Sequence, residues 1–432
     1  MHMKSNPSRR TFLKRAAASL AIPYIISSSA LGKDGQEAPS NRITIASIGV
    51  GGMGTGNMHS FLSKNEAQVL AVCDVDRSHL EDAAKIVNDR YGNNDCATYK
   101  DFREVIARDD IDAVSVAVPD QWHSIMAVTA ARAGKDIYGE KPLAHSIAEG
   151  RAIVDAVERY GVIWQTGSWQ RSVANFRTAC ELVRNGRIGE VKNVTVRLPY
   201  GYGTSSNTDV VPVPEGFDYD LWLGPAPWAP YCPGRCHFNF RWISDYAGGQ
   251  LTDWAGHHVD IAHWGMNCDL SGPVLIKNAK PEWPSGTEVL YDTPYGYHFE
   301  CEYKEGFSMV VEDCKINTTG VTFHGSEGWV FVDRGRLDAN PKSLLQSKIK
   351  PGEIHLYNSN DHHQNFLDCV KSRQKTITPA EVAHHSIMVA HLGMAAMKLG
   401  RDLQWDNEKE EFIGDAQANR LLSRSMRGPW HL

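Results

Sequence analysis

Asp253 and His257 stand four residues apart in GGQLTDWAGHHVDIAHWG, the stretch from Gly248 to Gly265. At that spacing a carboxylate and an imidazole share one helical face and can act as a unit. The histidine takes a hydroxyl proton while the carboxylate orients substrate or ring. Asp260 and Trp264 continue the same face, whereas His258 and His263 point elsewhere. Two rival readings are a metal site, because Asp and His are ligands, and a purely structural buried network. Only one helical pair is evident, without a clear third ligand, so no metal is expected.

A second constellation is built of glycines. Arg42 to Gly54 reads RITIASIGVGGMG, an apolar β-branched run that ends in Gly49-x-Gly51-x-x-Gly54, with Gly52 and Met53 inside the turn. The first glycine permits a tight turn, the second lets the backbone approach a pyrophosphate, and the third lets helix and strand pack closely. The pyrophosphate charge then rests on free amides at the helix N-terminus. A second apolar strand, Val69 to Val75, carries Asp74, which falls 25 positions after Gly49. A carboxylate there accepts hydrogen bonds from the adenosine ribose and repels a 2′-phosphate, which favours NAD over NADP, although Arg77 is nearby. Glu140-Lys141-Pro142 follows the strand KDIYG and falls on the same rim as the glycine loop. An ammonium there can bond a cofactor ribose hydroxyl and a substrate hydroxyl, and its charge favours alkoxide character on the substrate oxygen.

The elements that must position these groups alternate. Asp112 to Val118 reads as a strand ending in Pro119-Asp120, and His123 to Gly134 as a helix. Lys135 to Gly139 is another strand, Ser146 to Tyr160 another helix, and Val162 to Thr166 a further strand. Strands separated by such helices imply right-handed crossovers and a doubly wound parallel sheet over residues 41–167. Ligands collect at the carboxyl ends of such strands.

After Thr166 the rhythm stops. A helix over Val173 to Asn185 and a strand over Val191 to Pro199 precede some 40 residues, Tyr200 to Arg241, dense in Gly, Pro, Tyr and Trp. Loops of this length are usually functional or disordered, and the aromatic content argues against disorder. Trp222, Trp228, Tyr231, Phe238, Phe240 and Trp242 suit the C–H faces of a sugar ring, and equally plain packing. Beyond Pro273 the chain reads as antiparallel, with Tyr297–Tyr303 against Phe307–Cys314 and Gly320–His324 against Trp329–Arg334. An open sheet of this kind commonly supplies an oligomer face. Two helices, Asp361–Ser372 and Pro379–Leu399, close the chain, and their paired histidines read as surface or packing residues.

The whole chain has 432 residues, 45 Lys plus Arg, 51 Asp plus Glu and 42% hydrophobic residues. The first 30 residues hold five of the positives and no acid, leaving 40 basic against 51 acidic residues in the body. Such a body has no electrostatic drive toward nucleic acid or an anionic membrane. SRRTFLK at Ser8 to Lys14, followed by an uncharged stretch to Gly32 and a small-x-small site at Ser28-Ser29-Ala30, resembles a twin-arginine export signal, residues 1–32. That implies a periplasmic protein without a membrane span once the signal is removed. The nine cysteines have no framework spacing; Cys232 and Cys236 could be a local bridge, two legs of a zinc site with His237, or two unpaired thiols.

GVGGMG, the acid after the second strand, PDQWH, EKP and GGxLxDxxxHxxD, in this order, resemble the Gfo/Idh/MocA oxidoreductases, and the resemblance covers essentially the whole chain after the signal. WLGPAPWAPY and the closing segment resemble its exported branch. The resemblance implies an N-terminal Rossmann domain and, over 168–432, an α+β substrate-binding and oligomerisation domain with a large, mostly antiparallel sheet. It also implies a tightly held NAD, a homo-oligomer and hydride transfer at a carbinol of a sugar, glycoside or polyol. Lys141, Asp253 and His257 match the family's catalytic positions. Gly49, Gly51, Gly52, Met53, Gly54, Asp74, Glu140 and Lys141, with Pro119 and His123, match cofactor positions. Gln165, Trp169, Arg171 and Trp242 are assigned to the substrate pocket. Two other outcomes fit the same motifs: an oxidation–elimination glycoside hydrolase with no net redox change, and a non-catalytic sugar-binding homologue.

Overall fold

The computed structural model describes residues 41–286, 289–315 and 318–432. The twin-arginine-like segment lies outside the described residues.

The first half is a six-stranded sheet in the order β3-β2-β1-β4-β5-β6. Its strands are β1 (Ile43–Ile48), β2 (Ala67–Cys73), β3 (Ala97–Tyr99), β4 (Ala113–Val116), β5 (Asp136–Gly139) and β6 (Trp164–Thr166), every pairing parallel. The longer connecting helices are α1 (Gly52–Leu62), α2 (Arg77–Tyr91), α3 (His123–Arg132) and α4 (Ile147–Tyr160). Strands β4 and β5 are buried along their whole length, as a sheet covered on both faces requires. The order reverses at β1, whose neighbours are β2 and β4, so the crevice beyond the ends of β1 and β4 is the switch point where such sheets take ligands. Helix α2 and strand β3 lie between the expected second strand and Asp112, where the polar sequence NDRYGNNDCATYK hid a short edge strand.

The second half is a nine-stranded sheet ordered β13-β12-β11-β7-β10-β9-β8-β14-β15. Its strands are β7 (Val191–Pro199), β8 (Pro273–Glu282), β9 (Gly296–Tyr303), β10 (Ser308–Cys314), β11 (Gly320–Gly325), β12 (Gly328–Val332), β13 (Leu337–Asn340), β14 (Leu403–Asp406) and β15 (Glu411–Phe412). The two expected hairpins form, β9 with β10 and β11 with β12. One pairing departs from antiparallel: β10 runs parallel to β7, because the excursion between β7 and β8 returns the chain to the sheet in the same direction.

The longer helices of this half are α5 (Ala174–Arg184), α6 (Gly249–Met266), α7 (His362–Ser372) and α8 (Ala380–Leu399). Helix α6 packs between the sheet and its helical neighbours α5 and α8, and is buried on nearly every side. A helix so enclosed must find partners for each polar side chain it carries. Asp260 receives Arg171 and Ser386, and His263 meets the Tyr303 hydroxyl at 2.9 Å.

The long aromatic segment after β7 is ordered without being periodic. Phe217, Tyr219, Trp222, Tyr231, Phe240, Trp242 and Tyr246 form a core of their own. It is pinned to the first half: Asp218 N donates to Val75 O at 2.9 Å, Arg77 N to Gly216 O at 3.1 Å, and Trp122 Nε1 to Trp222 O at 3.1 Å. All nine cysteines are free thiols, Cys232 and Cys236 among the buried ones. Among the described residues no helix is long and apolar enough to cross a membrane.

Candidate active site

A cavity of about 420 Å³ opens at the switch point of the first sheet and runs to the N-terminal turns of α6. Its walls include Gly49, Gly51, Gly52, Met53, Asp74, Pro119, Glu140, Lys141 and Asp253, with Phe238, Phe240 and Arg241 from the aromatic segment.

The glycine loop fits a dinucleotide. Gly49 has φ +77°, and a Cβ there would collide with Ala117 O; a Cβ on Gly54 would collide with Gly49 O. By contrast a Cβ at Gly52 meets nothing within 4 Å, and at Gly51 only the His79 ring at 3.7 Å, so the loop leaves a cradle on the cavity side. Gly51 caps α1 without a side-chain bond, which leaves first-turn amides free for an anion. Asp74 holds this loop in place: one oxygen accepts from Val50 N at 2.8 Å and the other from Asp76 N at 2.9 Å.

At the other end Lys141 Nζ lies 2.8 Å from Asp253 Oδ1 and 3.3 Å from Asp253 O. Arg241 Nε approaches the same carboxylate oxygen at 3.3 Å. Burial pushes the Asp253 carboxyl up, but the Lys141 and Arg241 charges outweigh it and hold it below its ordinary value. The Lys141–Pro142 peptide is cis. Gly256, between Asp253 and His257 on α6, leaves room for the Lys141 chain, whose Cβ would sit 3.3 Å from a Cβ there. Glu140 is buried and accepts from Asn57 Nδ2 at 2.9 Å.

His257 is 4% exposed and lies beside the Trp169 and Trp254 rings, at 6.2 and 5.8 Å between centroids. Burial, then the positive charges of Lys141 and Arg334, drive its pKa well below the ordinary histidine value, so the ring is neutral. Its Nδ1 is buried and, among the described residues, has no hydrogen-bond partner. A neutral imidazole is competent to take a proton.

Several assigned residues are not where the sequence put them. Arg171 is 2% exposed, its Nε bonding Asp260 at 2.7 Å and its Nη2 bonding Asp269 at 2.8 Å, so it serves the core of the second half and not a substrate. The same pairing withdraws Asp260 from the expected reactive face, leaving Asp253 and His257 alone there. Gln165 is fully buried and donates to His362 O. Trp242 is 2% exposed, packed against the Tyr202 and Phe238 rings, and is not among the residues that line the cavity. His123 is a brace for the loops and not a cofactor contact: its nitrogens meet Pro142 O at 2.7 Å and Val118 O at 2.9 Å. Of the four substrate assignments Trp169 alone stands beside His257.

Sequence reasoning missed Asp120 and Arg241. Asp120 is 5% exposed and lines the cavity, and among the described residues its carboxylate accepts no hydrogen bond. Burial, then the neighbouring Asp253 charge, pushes its pKa up to about 8. Its place in PDQWH, directly after β4, was the available signal. Arg241 had none, because the segment carrying it has no period. Asp76, His79 and His237 also bring ligand atoms within 4.8 Å of one another on the cavity wall, a grouping that joins the N-terminal end of α2 to the aromatic segment.

A Rossmann half whose glycine loop shares one cavity with a lysine and a helix-borne carboxylate defines a two-domain, nicotinamide-dinucleotide oxidoreductase. Residues 43–168 match the oxidoreductase family's NAD-binding Rossmann fold, and residues 167–432 match that family's C-terminal alpha/beta domain. The chain belongs to the Gfo/Idh/MocA oxidoreductase family. It is similar to the myo-inositol 2-dehydrogenase of Thermotoga maritima, 29% identical over 365 residues that cover 82% of this chain and 95% of that one. It is 35% identical over 168 residues to glycosyl hydrolase family 109 protein 2 of Shewanella sp. (strain ANA-3), a match covering 35% of this chain and only 37% of that protein. The solved structure of aldose-aldose oxidoreductase from Caulobacter crescentus, complexed with glycerol, shares the fold with a TM-score of 0.63 at 19% identity, over 84% of this chain and 99% of that chain.

Proposed function

We propose that this protein is an NAD-dependent oxidoreductase that moves hydride between its cofactor and a secondary hydroxyl or ketone of a sugar, glycoside or polyol. The observation that carries the reading is the single cavity joining the glycine cradle to Lys141 and Asp253. The glycine cradle would hold a nicotinamide dinucleotide, whose chemistry when bound would be to supply or take a hydride. Lys141 neutralises charge on the substrate oxygen, Asp253 orients the sugar and holds the ammonium, and neutral His257 takes the hydroxyl proton. Asp74 on the cavity wall favours NAD over NADP. Twin-arginine export would carry the enzyme folded to the periplasm with cofactor loaded, where it would work as a homo-oligomer through its open sheet. Because NAD is not readily replaced there, reoxidation in place by a second sugar or ketone suits the site.

The test is native mass spectrometry of the purified protein for bound NAD, followed by a panel of sugars and glycosides with product analysis. Protein without NAD, or full turnover by both Lys141→Ala and His257→Ala, would overturn the reading. A second reading rests on the glycosyl hydrolase family 109 likeness: oxidation, elimination of the glycosidic group, water addition and reduction. It predicts glycoside cleavage with no accumulation of reduced cofactor.

A further inference from the structure

Arg334 follows β12, and its guanidinium lies between two indoles, 4.6 Å from the Trp169 centroid and 4.5 Å from that of Trp254. These are the same two rings that flank His257. The Gln170 amide, oriented to satisfy its neighbours, ties the groups together. Its nitrogen donates to His257 O at 3.2 Å and to His258 Nδ1 at 3.1 Å, and its oxygen accepts from Arg334 Nε at 3.1 Å. Among the described residues no carboxylate pairs with Arg334. The guanidinium lies over both indoles and its Nε bonds Gln170, and among the described residues no hydrogen bond takes its Nη atoms, so that terminal edge is what remains for a ligand, on an exposed residue.

We propose that Arg334, braced by Trp169 and Trp254, is the substrate-selecting cation of this site, and that the substrate is an acidic sugar whose carboxylate it binds. The inference rests on the sugar-oxidoreductase reading above. Three physical arguments support it. A planar guanidinium presents two parallel donors that match a carboxylate, which a lysine cannot do. Contact with two indoles and the Gln170 bond to Nε restrain that fork and lower the entropy lost on binding. The body of the protein is acidic, so a cation without an ion-pair partner beside the proton-accepting His257 is the feature that would draw an anionic sugar in.

The experiment is isothermal titration calorimetry on the full-length, cofactor-bearing protein with methyl glucuronide, methyl galacturonide and the corresponding neutral methyl glycosides; methyl glucoside 6-sulfate distinguishes a carboxylate from another oxyanion. The wild type is expected to bind at least one uronide about tenfold or more tightly than its neutral partner. That preference should shrink as salt is raised, vanish in Arg334→Gln and survive only in part in Arg334→Lys. Equal affinity for acidic and neutral glycosides in the wild type, or an undiminished preference in a folded Arg334→Gln, overturns the proposal. Tighter binding of the sulfate than of either uronide overturns the carboxylate assignment. If Arg334→Gln fails to fold, the wild-type comparison and Arg334→Lys still decide. A uronide preference without hydride transfer to any sugar would sink the oxidoreductase reading and leave the subsite standing.

Discussion

Lys141 and Asp253 hold one another at 2.8 Å, so each mutation at this pair also unbalances its partner. Lys141→Ala should lower kcat about 10²–10³-fold, the scale on which one charge-stabilising donor acts, with the circular dichroism spectrum unchanged. Asp253→Asn should cost similarly in initial rate, because Lys141 and Arg241 would then lose the carboxylate that both of them bond. Asp120 gives a prediction in stability. Its pKa of about 8 in the folded protein lies above the ordinary 3.8, so between those values the folded state holds a proton that the unfolded chain releases. Stability from this group therefore falls as pH rises from about 4 to about 8, and stays low above that. Asp120→Asn should raise the melting temperature by a margin that grows across that window in a thermal-shift series and disappears below about pH 4. A margin constant with pH would show that Asp120 is ionised throughout.

At the scale of elements, α6 carries Asp253 and His257, and Gly256 sets how closely Lys141 lies against it. A Cβ on Gly256 would come within 3.3 Å of the Lys141 Cβ. Gly256→Ala should favour the helix by up to about 1 kcal/mol, yet displace the ammonium by a few tenths of an ångström. We expect a melting temperature equal or higher and a kcat about tenfold lower; unchanged turnover would mean that the lysine position is set by the Glu140–Pro142 loop alone. The aromatic segment shows how far element-level reading reached. Its composition correctly argued for order, but composition cannot say which faces are turned inward. Trp222, Tyr231, Phe240 and Trp242 became a local core, while Phe238, 60% exposed, stayed at the cavity mouth.

The whole molecule buries an unusual set of imidazoles. Burial holds His258, His263 and His362 at pKa values of about 3, and His363 and His391 at about 4. The unfolded chain protonates these groups near pH 6.5, so it gains protons that the folded protein refuses as pH falls from about 6.5 toward 3. Stability should be intact at neutral pH and decline already between about pH 6.5 and 5, above the range where paired acids such as Glu381 and Glu410, both held at about 2, begin to matter. Denaturant midpoints flat across that interval would contradict this.

Local rules determined a great deal. β7 falls on Val191–Pro199 as read, the glycine loop, Lys141 and Asp253, each read from a short local motif, line one cavity, and Asp253 and His257 lie on one helix as their spacing implied. What the sequence could not decide was which polar residues meet across elements. Arg171 looked like a substrate contact until Asp260 and Asp269 claimed it, and His123 like a cofactor contact until it was found bracing Pro142 and Val118. Arg241, Asp120 and the Arg334–indole cluster join positions from a dozen to more than a hundred residues apart. A period of 3.6 or 2 fixes the face a residue occupies, but burial, charge pairing and pKa depend on what the rest of the chain packs against that face, and only the tertiary structure supplies it.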